Sequence, residues 1–400
     1  MRERDVLITG IGLVSSLGEG PDAHWRALTE PAAPLNVDAA RYAPYPIHPL
    51  PEIDWNLQIP KRGDQRQMET WQRLGTYAAG LALDDAGLKG DEAACASMDM
   101  VVAAGGGERD EAVDASILEA SATRNDREVL LNEKLTTDLR PTLFLAQLAN
   151  LLAGNISIVH KATGSSRTFM GEEGSGVAAI ENAVARIRSG QSTHMLVGGS
   201  YQCEHSDLIL GYELGHYLHQ GEWAPLWARE NAAGGGLIPG SAGAFIVLES
   251  REHAEARGAK AYATVEAVAS DRIRRAKDNF EGRLGELLAC VTTPAGGGAQ
   301  NLLTISGASG AHAATKAERA ALTQAGIDAY RALSGRLGHL KEAQFPFAVA
   351  LAAMALKNQA AYPPFDSVSE AAFTGALDKA LATTVGYHLY EGAALLGKAE

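Results

Sequence analysis

Residues 163–190 read TGSSRTFMGEEGSGVAAIENAVARIRSG. The stretch runs from a glycine-rich approach through two adjacent carboxylates, Glu172 and Glu173, into a helix. Val177, Ile180, Val184 and Ile187 recur at helical spacing, which predicts one apolar stripe. Ala178, Ala179, Ala183 and Ala185 keep the remaining sides slim, so this helix is expected to be buried nearly all round. Gly190 supplies its stop. A buried helix whose first turn carries two acids is the feature to be explained.

Working outward, strands alternate with helices. DVLITGIG (5–12) reads as a strand ending at Gly10 and Gly12, TWQRLGTYAAGLALDDAGL (70–88) as a helix stopping near Gly87, and MDMVVAAGGG (98–107) as a second strand. Residues 108–155 are helix-prone and are expected to cover the sheet. After the quoted helix come HMLVGGS (194–200) and GAFIVLES (243–250). The second part repeats the order with KAYATVEAVAS (260–270), NLLTISGASG (301–310), the Ala-rich PFAVALAAMALKNQ (346–359) and a last strand pair within TTVGYHLYEGAALLGK (383–398). This is α/β grammar with a faint internal duplication, divided into residues 1–250 and 251–400.

Composition narrows the function. With 46% hydrophobic and 21% charged residues the chain is an ordinary globular one, and a formal charge of −13 argues against nucleic acid as a partner. No apolar run approaches membrane-spanning length and no signal peptide is read, so a cytoplasmic setting is expected. Cys95, Cys203 and Cys290 have no CxxC spacing, which fits a reducing compartment. His216 and His219, with Glu213 and Glu222 nearby, lack a third group at metal-ligand spacing; neither metal nor cofactor is expected. The glycines of GIGLVSSLG (10–18) do not match the dinucleotide fingerprint, and no hydrolase elbow G-x-S-x-G is present in GEEGSG or SGASG.

Four ordered segments carry a resemblance. DVLITGIGLVSSLGEGPDAHWRAL (5–28), GLIPGSAGAFIVLESREHAEARGAKAYA (236–263), TKAERAAL (315–322) and GRLGHL (335–340) resemble the β-ketoacyl-acyl-carrier-protein synthases, condensing enzymes of the thiolase fold. The resemblance implies a duplicated, five-layered αβαβα architecture, a dimer whose first-half sheets pair across the axis, and carbon–carbon bond formation between an acyl-cysteine and malonyl on acyl carrier protein. It also implies where the catalytic groups should be. The cysteine position falls on Glu173, the first histidine on Gly307, the lysine on Ser334, and the second histidine is retained as His339. His312 is the nearest imidazole to position 307. The glycine-rich gate becomes GYHLYEG (386–392), where Tyr387 keeps the aromatic and His388 and Leu389 replace glycines. Phe169 and Met170, with Tyr387 and His388, are candidates for a tunnel or its gate.

A helix N-terminus favours an anion, thiolate or carboxylate, but a carboxylate cannot carry an acyl thioester. Condensation needs a nucleophile and polar groups for the oxyanion, so the site is expected to be unable to condense by itself. Cys203, paired with His205, is the alternative nucleophile to weigh. The resemblance then points to chain length factors, silent ketosynthase-like subunits that form a heterodimer with an active ketosynthase in polyketide systems. Two other readings stay open: Glu173 and His339 decarboxylating malonyl groups or hydrolysing thioesters, and a homodimeric carrier-protein scaffold. Basic clusters at 61–67 and 271–283 are the candidate contacts for an acidic acyl carrier protein.

Overall fold

Gly10 and Gly12 do not end the first strand. In the computed structural model, which describes residues 4–30, 33–275, 277–293 and 302–399, β1 runs through both glycines from Val6 to Ser15. A Cβ at Gly12 would lie 2.0 Å from the Ala78 carbonyl oxygen, and one at Gly10 2.4 Å from that of Ala82. Both carbonyls belong to helix α1 (Thr70–Asp85). The glycines therefore serve close helix-on-strand packing. Of the segments and halves read above, residues 1–3, 31–32, 276, 294–301 and 400 lie outside the described residues.

The other strands are β2 (Gly18–Glu19), β3 (Asp99–Ala103), β4 (Ser166–Phe169), β5 (His194–Tyr201), β6 (Ala242–Ser250), β7 (Ala263–Asp271), β8 (Leu303–Ser306), β9 (Tyr330–Ala332), β10 (Lys379–Val385) and β11 (Glu391–Gly397). Their lateral order is β4-β3-β5-β6-β1-β7-β11-β10-β8-β9, with β2 paired to β1. From the central β1–β7 junction outward, both sides read alike. In β1-β6-β5-β3-β4 and in β7-β11-β10-β8-β9 the first two junctions are antiparallel and the last two parallel. The duplication that the sequence shows faintly is plain in the topology.

Seven more helices matter: α2 (Glu111–Ser121), α3 (Leu151–His160), α4 (Glu173–Arg188), α5 (Ser206–Leu214), α6 (Phe280–Thr292), α7 (His312–Gln324) and α8 (Gln344–Asn358). Helices α1 and α3 cover one outer face and α6 and α7 the other, while α4 and α8 touch each other and strands of both sets. This gives the layers α–β–α–β–α. The predicted stripe of α4 is buried, as are Ala179 and Ala183, and every residue of α8 from Gln344 to Leu356 is buried. Each Val, Ile or Leu so placed contributes roughly 1.5–3 kcal/mol. The two middle helices meet at Gly176, where a Cβ would stand 2.7 Å from Pro346 Cδ.

The 108–155 region covers the structure only in part. Helix α3 packs on α1, but α2 packs on the following helix, Arg127–Thr137, and leaves Leu118 71% exposed. Among the described residues, no helix is long and apolar enough to cross a membrane.

Candidate functional site

Helix α4 begins at the centre of the molecule, and its approach is strained. Glu172 has φ 56 and ψ −136, a region that non-glycine residues rarely occupy and that costs about 1–3 kcal/mol. It therefore precedes the first turn, and only Glu173 belongs to the helix. The two acids expected to share that turn have separate duties.

Glu173 is fully buried. Its Oε1 lies 2.6 Å from His339 Nε2 and accepts from the Tyr387 backbone N–H at 2.9 Å. Its Oε2 has no hydrogen-bond partner. Burial works to raise this carboxyl, but the His339 charge, the His339 hydrogen bond and the Tyr387 N–H together hold it below the ordinary value. Behind it, the Tyr212 hydroxyl is 3.2 Å from His339 Nδ1. Both nitrogens of this imidazole are thus engaged, one with a carboxylate and one with a phenol.

Gly307 and Ser334, where the resemblance implies histidine and lysine, meet across a residue that sequence reading passed over. Gln344, the first residue of α8, donates from Nε2 to the Ser334 hydroxyl at 2.8 Å and to the Gly307 carbonyl at 3.2 Å, and its Oε1 accepts from the Leu340 N–H at 2.8 Å. A Cβ at Gly307 would lie 2.5 Å from the Thr383 carbonyl oxygen, so position 307 has no room for any side chain. The signal for Gln344 was its polarity at the head of an apolar helix.

The turn between β10 and β11 closes over Glu173. The Tyr387 hydroxyl donates to Glu172 Oε1, and its ring stands edge-on to His339 at 5.6 Å and to Tyr212 at 5.2 Å. Arg275 fastens the turn from outside, donating to the Tyr387 carbonyl at 3.0 Å while pairing with Glu391 at 2.9 Å. Tyr387 and His388 line a cavity of about 600 Å³ together with His216, His312, Arg274 and Lys277. The basic cluster at 271–283 thus contributes to a cavity wall, whereas Lys61, Arg62 and Arg66 are exposed on the surface. His312 does not reach Glu173; its Nε2 bonds the Arg229 carbonyl at 3.1 Å. Of the other two tunnel candidates, Phe169 packs against the middle core, and Met170 is 65% exposed.

Cys203 does not pair with His205. Its thiol is buried, accepts from the Ser241 hydroxyl at 3.3 Å and is pushed up to about 12 by burial, while His205 Nδ1 faces Asp207 at 2.7 Å. His219 is likewise spoken for, with Nε2 2.8 Å from the Glu222 carbonyl. The centre therefore presents a buried ionised carboxylate, an engaged imidazole and no thiol among their hydrogen-bond partners. Among the described hydrogen-bond partners of Glu173 and His339 there is no group on which an acyl chain could be held as a thioester.

The comparisons with known proteins agree on the architecture. The family model described as "Beta-ketoacyl synthase, N-terminal domain" matches residues 3–254. The 3-oxoacyl-[acyl-carrier-protein] synthase 2 of Vibrio harveyi is 27% identical over 269 residues, covering 66% of this chain and 62% of that protein. The chain's match thus spans about three fifths of the length of that relative. Among solved structures, the ishigamide ketosynthase/chain length factor aligns over 100% of both chains with a TM-score of 0.79 at 21% identity. The AntDE:AntF assembly, a type II PKS acyl-carrier protein in complex with its ketosynthase bound to the hexaketide, aligns over 100% of both chains with a TM-score of 0.72 at 18% identity. These two likenesses establish the thiolase-like fold.

Proposed function

The chain belongs to the beta-ketoacyl synthase family, and from that premise we propose that it is a non-condensing, chain-length-factor-type subunit. In this reading it forms a heterodimer with an active β-ketoacyl synthase in the cytoplasm, and the pair works on acyl carrier protein in specialised fatty-acid or polyene synthesis. The observation that carries the proposal is the buried Glu173–His339 pair at 2.6 Å, at the position where the family places its nucleophile. Gln344, bridging Gly307 and Ser334, supports it, because the two other family positions are committed to a structural network.

A partner surface is available on the first half. β4 is an edge strand whose Ser166 and Arg167 are exposed, with Met170 just beyond it and Ile158 on the neighbouring α3, 65% and 55% exposed. A strand with one edge open beyond its pairing to β3, flanked by exposed apolar side chains, is a template for pairing with another chain. The cavity wall bearing Arg274 and Lys277 suits an acidic carrier protein or the phosphate of its prosthetic arm.

The test is reconstitution. The chain alone, and the chain with a candidate cysteine-containing synthase, are assayed for extension of carrier-bound acyl groups by malonyl-carrier protein. No product from the chain alone, and product of altered length from the pair, is the expected result; elongation by the isolated chain refutes the proposal. The alternative enzyme reading, malonyl decarboxylation or thioester hydrolysis through Glu173 and His339, requires turnover that disappears in Glu173→Ala. The depressed Glu173 carboxyl makes it a weak base, and Tyr387 covers it, which favours the non-condensing reading. The remaining alternative, a homodimeric carrier-protein scaffold, predicts a self-paired mass in native complexes.

A further inference from the structure

Outside this centre, the described residues bring three potential ligand groups together in one place: Glu111, His205 and Asp207, whose ligand atoms all lie within 4.8 Å of one another. His205 Nδ1 is 2.7 Å from Asp207 Oδ1 and 3.2 Å from Glu111 Oε1. Neighbouring ligand atoms around a tetrahedral zinc ion are separated by about 3.4 Å, given bonds of about 2.0–2.2 Å. The 3.2 Å separation nearly suits an ion, and the 2.7 Å one needs to open by about 0.7 Å.

A second observation concerns the far side of the imidazole. Glu108 Oε2 lies 3.7 Å from His205 Nε2. Its other oxygen, Oε1, is buried without a hydrogen-bond partner, and the residue is only 9% exposed. At 3.7 Å this is an ion-pair distance and not a hydrogen bond; closing by about 0.7 Å would give the carboxylate–histidine contact that fixes the tautomer and directs the other nitrogen at a metal.

Charge points the same way. Three carboxylates surround one imidazole; of the nearby cations Arg109 is paired with Asp114, and Arg73 offsets part of the charge of Glu108. Arg109 forks onto Asp114 at 2.6 and 2.8 Å, and Arg73, whose charge reaches Glu108, lies over the Trp55 ring and bonds Thr70. The Ser206 N–H and hydroxyl accompany Glu111 at 2.8 and 3.4 Å, but these are neutral donors and leave the excess negative charge in place.

We propose that Glu111, His205 and Asp207 form a binding site for a divalent first-row cation, with Glu108 as the positioning residue behind His205. Imidazole plus carboxylate is a donor set for zinc or its neighbours in the series. The ion would tie α2, in the partly exposed helical region, to the start of α5 on the first-half core. This departs from the expectation of a metal-free chain, and the signal was hidden because the ligands come from segments 94 residues apart in sequence, from Glu111 to His205.

The experiment is calorimetric titration of Zn²⁺ into the full chain stripped of metal with chelator, with fold checked by far-ultraviolet circular dichroism. One site is expected, weakened at least about tenfold by His205→Ala and by Asp207→Asn, and by roughly 10–100-fold in Glu108→Gln. His216→Ala and Cys290→Ser are expected to leave it unchanged. No binding, or equal affinity in the wild type and His205→Ala, overturns the proposal. Anomalous diffraction from zinc-soaked crystals gives an independent answer that needs no variant: a peak among the three side chains supports the site, and density only elsewhere overturns it.

Discussion

The two helices buried between the sheets begin in opposite electrical states. Helix α4 opens with Glu173, an ionised carboxylate held by His339 and Tyr387. Helix α8 opens with Gln344, a neutral amide bonded to Gly307, Ser334 and Leu340. Close to the neutral end, Glu318 accepts from the Ser306 and Thr383 hydroxyls at 2.9 and 2.6 Å and is raised to about 7 by burial. One end therefore stabilises a charge and the other disfavours one. The lesson is that the buried start of a middle helix can be occupied by a charged or a neutral polar group, each held by several hydrogen bonds to its surroundings.

The charged end gives the largest expected effect. Glu173→Ala leaves His339 and the Tyr387 N–H without their acceptor, and a loss of about 3–5 kcal/mol is expected in urea unfolding at neutral pH. Glu173→Gln, which still accepts from Tyr387, should lose less. Stability should also respond to acid. Because the folded Glu173 carboxyl lies below its ordinary value, its contribution is present above the unfolded value and is lost as pH falls through the folded one; Glu173→Gln removes that part of the acid limb.

The neutral end predicts the opposite slope. Between the ordinary carboxyl value of 4.5 and about 7 the folded chain keeps a proton on Glu318 that the unfolded chain has released, so stability falls as pH rises through that window. Glu318→Gln should abolish this decline and gain on the order of 1–3 kcal/mol at pH 8, read from melting curves across pH. A wild-type profile flat from pH 4.5 to 8 would break the comparison.

Gln344→Ala is expected to cost about 2 kcal/mol in the same unfolding assay, through lost neutral hydrogen bonds and a small cavity. The smallest effect belongs to Tyr387→Phe, about 1 kcal/mol, since it removes only the bond to Glu172. Faster hydrogen exchange of the Gly386–Tyr390 turn in that variant would sharpen the picture of Tyr387 as the clasp over the charged end.

Much of this was legible in the sequence. The stripe of α4, the strand–helix alternation and the meeting of Glu173 with His339 follow from spacing and ordered family segments. Other features depend on distances that no local pattern encodes. Gln344 reaches back 37 residues to Gly307, and Glu111 reaches His205 only after the chain has passed through two strands. β1 outran its predicted end because Gly10 and Gly12 read as punctuation, whereas helix α1 was pressing on them. Glu172 is read from the sequence as part of the first turn beside Glu173, yet the turn into α4 demands a backbone shape that its residue type does not favour.

The tight seat of Gly307 against Thr383 bears on any attempt to redesign the centre. A Gly307→His substitution would push the backbone of β10 aside, and Gln344 would have to give up its bond to the Gly307 carbonyl at the same time. An imidazole at that spot therefore needs compensating changes on β10 and at the head of α8, so installing one is a matter of rebuilding the surroundings and not of one substitution.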